Sequence, residues 1–501
     1  MVAVPRWRDQ LTGTKAAYVR DLEARDFVAE GESTWVGPVT VPSDGSGEKQ
    51  RKFKLVLPGD FPFSWPLVYL ARPPTVYDWH LQPPDGQLCL WRREDTPGRP
   101  WETVDGLFAR IRLWHEHALN GWPDDQGDLD LDRFFPRDSQ YTLITYGDLS
   151  GLVGRRLSRQ GDRRGWIRLV PRRPGKQQHQ RWGYAADLGV LEQPVWDWAT
   201  TLAAMREQDR AEVQALARAG RPGLLLLRYE RSGPAGPREA AAVLSVSPRP
   251  GAIPELRSTL VAQDTPAARS LRAGPDASRL ARARIAVIGC GAVGSFLADL
   301  LARSGAAVLV LIDPERLMPG NCVRHLAGPQ YVPQFKVEAV KSILAARELP
   351  AAVVPHPVRL DPDLAFQLFT ECDLIVDATA DGGATGLLEH LAQVTGKVFV
   401  KAALHRDGAI LRVDRFGPGT AVERLAPIPS LSNDGPALRE AGCGDPVSPA
   451  PPGAVLAAAS AACRMAADTL QSARRRRLPD SIVEVLVPQP DPPYQSAGVL
   501  S

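Results

Sequence analysis

Residues 285–294 read Ile-Ala-Val-Ile-Gly-Cys-Gly-Ala-Val-Gly, and they narrow the possible folds sharply. An apolar run of single-strand length ends in a G-x-G-x-x-G turn and opens into a segment with helical apolar spacing. A strand that is apolar on both faces belongs in a parallel sheet covered by helices. Gly289 suits the tight turn, Gly291 the close approach of a ligand to the backbone, and Gly294 the close packing of helix on strand. The start of the following helix presents unpaired N–H groups and a partial positive charge, which suits a phosphate. About twenty residues beyond Gly294, a second apolar run at 307–312 ends at Asp313, where a carboxylate can bind a ribose hydroxyl. The alternative is a plain strand-turn-helix with incidental glycines; the placing of Asp313 argues against it.

The alternation continues downstream. Strand-like runs at 285–288, 307–312, 352–358, 374–377, 398–400 and 408–415 are separated by helical patterns. They predict a Rossmann-like, doubly wound domain over 276–501, with a ligand at the carboxyl ends of its strands. Residues 1–140 form a different block, rich in Trp and Pro. Helical spacing over 7–24 and 104–119 brackets strands at 53–57 and 65–70 and a long irregular stretch that proline punctuates. Residues 141–275 are read as a mixed connecting domain. They hold two strands, 224–229 and 239–246, joined by a Gly/Pro-rich loop, and a helical pattern over 196–217. The expected fold class is therefore multidomain, α+β at the N-terminus and α/β at the C-terminus.

Composition excludes several functions. A net charge of +3 over 501 residues is too small to argue for nucleic acid or a membrane surface. The chain starts with no signal-like apolar stretch and has no run of roughly 18 apolar residues, so a cytoplasmic protein is expected. The six cysteines, Cys89, Cys290, Cys322, Cys372, Cys443 and Cys463, form no C-x-x-C pair, so neither a zinc site nor a disulfide framework is indicated.

The residues after Asp313 separate two nucleotide chemistries. Asn321, Arg324, Lys336 and the stretch from Asp377 to Asp381 make a denser pattern than hydride transfer needs. Arg and Lys neutralise phosphates, and a carboxylate after a strand can hold Mg²⁺. On these residues, over most of 276–475, the chain resembles the ThiF/MoeB/ubiquitin-activating adenylation family. The resemblance implies binding of Mg·ATP and adenylation of the C-terminal carboxylate of a ubiquitin-fold protein by a homodimer. It assigns Asp313 to the ribose, Asn321, Arg324 and Lys336 to the phosphates, and Asp381 to magnesium. The Asp377–Asp381 spacing is one residue wider than the family pattern, so either can be the metal ligand. The family's zinc-binding cysteine pairs are absent, and Arg269 or Arg272 stands where its N-terminal arginine would be sought.

An acyl-adenylate can be captured by a thiolate. Cys443, in Glu-Ala-Gly-Cys-Gly-Asp-Pro ahead of a helix starting near Gly453, is the candidate. The family places its acceptor cysteine in a comparable crossover loop. Cys372 and Cys463 read as core, Cys290 as part of the turn, and Cys322 as a neighbour of the nucleotide without a catalytic part.

A second thiol lies in Trp79-His80-Leu81-Gln82-Pro-Pro-Asp-Gly-Gln-Leu-Cys89-Leu90. Taken singly, Cys89 reads as a small buried hydrophobe and His80 as a packing residue. With Phe53-Lys-Leu-Val-Leu-Pro-Gly-Asp-Phe-Pro62, Trp65-Pro66 and Trp101, however, residues 5–120 resemble a ubiquitin-conjugating enzyme. That resemblance makes Cys89 the acyl carrier. His80-Leu81-Gln82 stands in place of the family's His-Pro-Asn, with Gln82 where the oxyanion-stabilising Asn would be. The segment between Cys89 and Trp101 is longer than usual. The whole chain resembles the fused conjugating and activating enzymes of CBASS antiphage systems. This implies a partner whose C-terminus is activated, a cGAS/DncV-like nucleotidyltransferase, and target lysines that receive it. The alternatives are a ubiquitin-fold substrate from another operon, a nucleotide-binding regulatory protein, or a nicotinamide dehydrogenase.

Overall fold

The computed structural model describes residues 6–43, 47–72, 74–92, 95, 97–123, 130–140, 143–161, 166–173, 181–233, 236–249, 251–418, 448 and 450–486. The protein is mixed α/β with several sheets, and it divides into two compact units, Met1–Asp264 and Thr265–Ser501.

The first unit opens with α1 (Arg6–Glu23) and six short strands. These are β1 (Val28–Gly31), β2 (Thr34–Pro42), β3 (Glu48–Val56), β4 (Leu67–Leu70), β5 (Leu81–Gln82) and β6 (Gln87–Leu88), in the order β1-β2-β3-β4-β6-β5. All pairings are antiparallel. Along β2 every second residue is buried, as expected when one face of a sheet is covered. The cover includes α2 (Val104–Asn120), through Val104, Leu107, Ile111 and Trp114. Its start is capped by Thr103, whose side-chain oxygen accepts the Gly106 N–H at 3.1 Å. The stretch read as irregular contains the β5–β6 hairpin, which pairs Leu81 with Leu88 and Gln82 with Gln87.

Eight more strands complete the unit: β7 (Leu143–Tyr146), β8 (Leu157–Gly161), β9 (Trp166–Pro171), β10 (Trp182–Val190), β11 (Gly223–Gly233), β12 (Gly236–Arg249), β13 (Ala252–Thr259) and β14 (Val261–Gln263). They form two four-stranded sheets, β10-β11-β12-β13 and β14-β7-β9-β8. The run Leu224–Leu227 lies in the middle of the first and is buried on both faces. Leu224 and Leu226 join Ile144, Leu157 and Leu169 of the other sheet. Leu225 and Leu227 join the core that also holds Trp79, Leu81 and Leu88. That double burial explains why the segment lacks polar alternation.

The helical pattern over 196–217 is two helices, α3 (Trp198–Ala204) and α4 (Glu207–Arg218). The break falls at Met205, whose backbone is extended, and Glu207 and Asp209 open the second helix with negative charge.

Two short helices, α5 (Pro266–Ser270) and α6 (Ala277–Leu280), lead into the second unit. Its sheet has seven strands: β15 (Arg284–Ile288), β16 (Val308–Ile312), β17 (Ala352–His356), β18 (Leu374–Asp377), β19 (Phe399–His405), β20 (Ile410–Phe416) and β21 (Ser481–Val485). The order is β17-β16-β15-β18-β19-β20-β21, parallel as far as β19 and antiparallel beyond it. The helices are α7 (Ala292–Arg303), α8 (Lys336–Ala346), α9 (Pro362–Glu371), α10 (Gly382–Thr395) and α11 (Pro452–Thr469). Strand residues alternate between two cores. Ile285, Val287, Leu309 and Leu311 pack with α7, α8 and α11, whereas Ala286, Ile288, Val310 and Ile312 pack with α9 and α10. Helices therefore cover both faces, and the parallel strands are apolar on both. Among the described residues, no helix is long and apolar enough to cross a membrane.

The turn after β15 leaves no room at Gly294, where a Cβ would lie 1.8 Å from the Gly289 oxygen. The backbone has to move to admit it. Gly294→Ala is expected to cost about 3 kcal/mol of stability, measured by urea denaturation. A midpoint equal to wild type would mean that the turn is softer than this packing implies.

Candidate functional site

In the seven-stranded sheet β15 has β16 on one side and β18 on the other, so the chain crosses over in opposite directions from this strand. Such a switch point opens a crevice at the carboxyl ends of the strands. The glycine turn occupies it. Gly289 has φ 85°, and a Cβ there would come within 2.9 Å of the backbone of Ala378 and Thr379, in the loop after β18. Gly291 is different: a Cβ would meet nothing within 4 Å. It precedes α7 directly, and no side chain caps that helix start. The first N–H groups of α7 therefore have no side-chain cap and can receive an anion.

Of the expected residues, Asp313 bonds this turn directly and the Lys336 charge reaches Cys290; each of the others is held by contacts of its own. Asp313 is buried; its Oδ2 accepts the Cys290 N–H and its Oδ1 the Glu315 N–H, each at 2.8 Å. Burial raises its pKa, while those two hydrogen bonds and the charge of Lys336 oppose the rise. Lys336 is the first residue of α8; its nearly buried ammonium pairs with the carboxylate of Glu315, which is 66% exposed. Asn321 lies on a 3-10 turn, Pro319–Val323, and its Oδ1 accepts the Met318 N–H at 3.0 Å. Arg324 ends that turn and donates from Nη1 to the Ala450 oxygen at 3.4 Å. Arg269 is paired with Glu348 at 2.7 Å.

The two candidate metal carboxylates differ. Asp377 is wholly buried, and both its oxygens are engaged: Oδ1 accepts from Thr379 and Oδ2 from the Thr385 hydroxyl at 2.6 Å. Asp381 caps α10, its Oδ1 accepting the N–H groups of Gly383 and Ala384 at 2.7 and 3.0 Å. Those bonds hold its carboxyl below the usual range. Its Oδ2 has no partner among the described residues.

One residue of this site was not singled out from sequence. His325 is buried beside Arg324, with Nε2 2.8 Å from the Cys290 oxygen and Nδ1 accepting the Ala327 N–H at 2.9 Å. Burial pushes its pKa down to about 4, so the ring is neutral. A lone histidine carries no spacing signal; only its place next to Arg324 could have pointed to it.

The thiol of the first unit lies on the β5–β6 hairpin, which brings Cys89 opposite His80: the Cys89 N–H donates to the His80 oxygen at 2.9 Å. Gln82 directs its amide Nε2 at the Cys89 sulfur, 3.2 Å away. The His80 ring is buried and stacked on Trp122, with centroids 3.5 Å apart. Burial pushes the Cys89 thiol up to about 11, opposed by Arg133 and by the Gln82 amide. Arg133 was also not anticipated; it lies more than forty residues away along the chain. Cys443 falls outside the described residues. Cys290 and Cys372 are buried, and Cys322 and Cys463 are partly so.

Residues 268–476 match the ThiF family.

Three relatives of this chain can be compared with it. It is 36% identical over 153 residues to the uncharacterised protein y4qC of Sinorhizobium fredii, covering 27% of this chain and 26% of that one. It is 29% identical over 249 residues to the ATP-dependent ubiquitin transferase-like protein Cap2 of Pseudomonas aeruginosa, covering 44% and 42%. It is 28% identical over 174 residues to the adenylyltransferase and sulfurtransferase UBA4 of Candida glabrata, covering 34% and 36%. The chain thus spans less than half the length of each of these relatives. Among solved structures, E. coli MccB with ATP is 16% identical with a TM-score of 0.32, over 39% of this chain and 58% of that one; no function follows from so distant a likeness.

The donor set within residues 268–476 fits magnesium in one way. Among the described residues no three His, Cys, Asp or Glu side chains gather to hold a metal. Mg²⁺ is commonly held by one or two carboxylates together with substrate phosphates. The open Oδ2 of Asp381 can supply the protein's share.

Proposed function

We propose that the ThiF domain uses ATP to activate the C-terminal carboxylate of a partner protein, and that Cys89 carries the acyl group to an amine of a target protein. The observation that carries this reading is the open space at Gly291, before an uncapped helix start, in a domain that matches the ThiF family. Asn321, Arg324 and Lys336 hold the phosphates, and Asp313 the ribose. Asp381 is the magnesium ligand, in preference to Asp377; bound magnesium would neutralise phosphate charge. A carboxylate oxygen of the partner attacks the α-phosphorus, the P–O bond to pyrophosphate breaks, and pyrophosphate leaves. A cysteine thiolate then attacks the acyl carbon and AMP leaves.

In this reading Cys443 takes the acyl group first and Cys89 receives it by thiol exchange. The target amine attacks the Cys89 thioester, loses a proton and releases the thiolate. Gln82 aims an N–H at the reacting centre, and His80 holds the hairpin. The working division is a conjugating domain at 1–140, a connecting domain at 141–275 and an activating domain at 276–501, in a cytoplasmic homodimer. The resemblance to the fused conjugating and activating enzymes of CBASS systems favours the C-terminus of a cGAS/DncV-like nucleotidyltransferase as the partner, in antiphage defence, and the likeness to an ATP-dependent ubiquitin transferase-like protein supports the conjugating part of the reading; a ubiquitin-like protein is the second choice.

The test is ATP–pyrophosphate exchange that depends on the partner's C-terminal carboxylate. Exchange that persists when that carboxylate is removed, or none with either class of partner, sinks the reading. The carboxylates add a finer expectation. Asp381→Asn lowers exchange by about a hundredfold at saturating magnesium and leaves the melting temperature near wild type. Asp377→Asn lowers stability by about 2 kcal/mol, because two threonine hydroxyls lose a charged acceptor. The reverse pattern in activity and thermal melts would exchange the two assignments.

A further inference from the structure

We infer that His325 is a positioning residue that sets the direction of the Gly291 N–H, and so determines whether the turn after β15 attracts or repels phosphate. The inference rests on the nucleotide reading above. Cys290 stands between two glycines, Gly289 and Gly291, whose backbones rotate with little steric cost. The peptides on its two sides are nonetheless held from two directions. Its N–H is bound by the Asp313 carboxylate at 2.8 Å, and its carbonyl oxygen lies 2.8 Å from the His325 ring. Because Nδ1 accepts the Ala327 N–H, the ring proton sits on Nε2, which therefore donates to that oxygen.

A planar trans peptide points its C=O and N–H in opposite directions. With the Cys290 oxygen held toward buried His325, the Gly291 N–H is turned away from that side; Gly291 itself is uncrowded, since a Cβ there would meet nothing within 4 Å. If this peptide rotated, the carbonyl oxygen would point where the Gly291 N–H now points, and would oppose an anion there. Asp313 cannot prevent the rotation alone, since it holds the preceding peptide. Arg324 and His325 thus act on one ligand from adjacent positions, Arg324 on the phosphates and His325 on the turn.

The full-length chain is titrated calorimetrically with ATP in magnesium and, separately, with adenosine. His325→Asn retains an acceptor near Nδ1 for the Ala327 N–H but is too short to reach Cys290. His325→Gln retains a donor near Nε2. The expected result is a loss of about tenfold to a hundredfold in ATP affinity for Asn, the range for one charge-assisted hydrogen bond. Adenosine affinity stays within about twofold in the same comparison, and Gln recovers most of the ATP affinity. Equal ATP affinity in wild type and Asn overturns the inference and spares the nucleotide reading. Parallel losses of ATP and adenosine overturn it too, since they report general damage to the site. A wild type that binds neither ligand overturns the nucleotide reading and the inference with it.

Discussion

Lys336→Ala is expected to lower partner-dependent ATP–pyrophosphate exchange by a factor of about 10²–10³, among the largest effects of any single change in the ThiF domain. Two losses combine. The charge of the nearly buried ammonium acts on the Asp313 carboxylate beside the turn, and its paired carboxylate, Glu315, stays behind when it is removed. An unpaired negative charge at a phosphate site adds repulsion to lost attraction. The double variant Lys336→Ala, Glu315→Gln should therefore recover about tenfold of the lost exchange. Exchange assays on the wild type, the single variants and the double variant form the cycle that separates the two terms. A single Lys336→Ala variant with wild-type exchange would remove Lys336 from the site.

Cys89→Ala is expected to abolish amide products altogether while partner-dependent exchange stays within about twofold, because adenylation precedes the thiol step. Gel analysis of partner adducts, with and without reductant, measures both the thioester and the final amide. The wild type should also show a defined pH dependence. A thiol pushed up to about 11 is almost wholly protonated at neutrality. Its thiolate fraction grows about tenfold per pH unit until the pKa is approached, so loading of Cys89 should rise steeply from pH 7 to 9. Gln82 and Arg133 favour the thiolate, so removing either should lower loading at a given pH. Amide products formed as fast by Cys89→Ala as by wild type would end the conjugating half of the proposal.

The crevice after β15 was legible because its signals are local. A strand, a turn and a helix follow one another within 285–303, and the period of each is visible in a short window. Asp313 was found by its distance from the Gly-rich turn, and Lys336 by the pattern it makes with Asn321 and Arg324. What escaped depends on contacts between distant positions. His325 matters through an oxygen on Cys290, and Arg133 through a sulfur on Cys89. Asp377 and Asp381 looked equivalent as residue types. They separate in the structure because one is buried beneath two threonines and the other caps a helix at the surface. The connecting strands were hard to read for a different reason. Leu224–Leu227 is apolar because it has neighbours on both faces, and nothing within the segment says what they are. The break at Met205 was hidden because α3 and α4 together imitate one helical period.

That twofold burial of β11 bears on how such a chain can be inherited. The indole of Trp79, next to His80, lies against Tyr229 and under the Arg231 guanidinium, 4.4 Å away, and its N–H is bound by the Glu192 oxygen. The Tyr229 hydroxyl in turn accepts the Leu131 N–H. The first 140 residues and the strands after them thus share one interior. A recombination that replaced the thiol-bearing part alone would bring in a lineage with no matching wall for its tryptophan. A replacement that keeps this interior whole has to carry all of Met1–Asp264, the first compact unit, which ends just before α5.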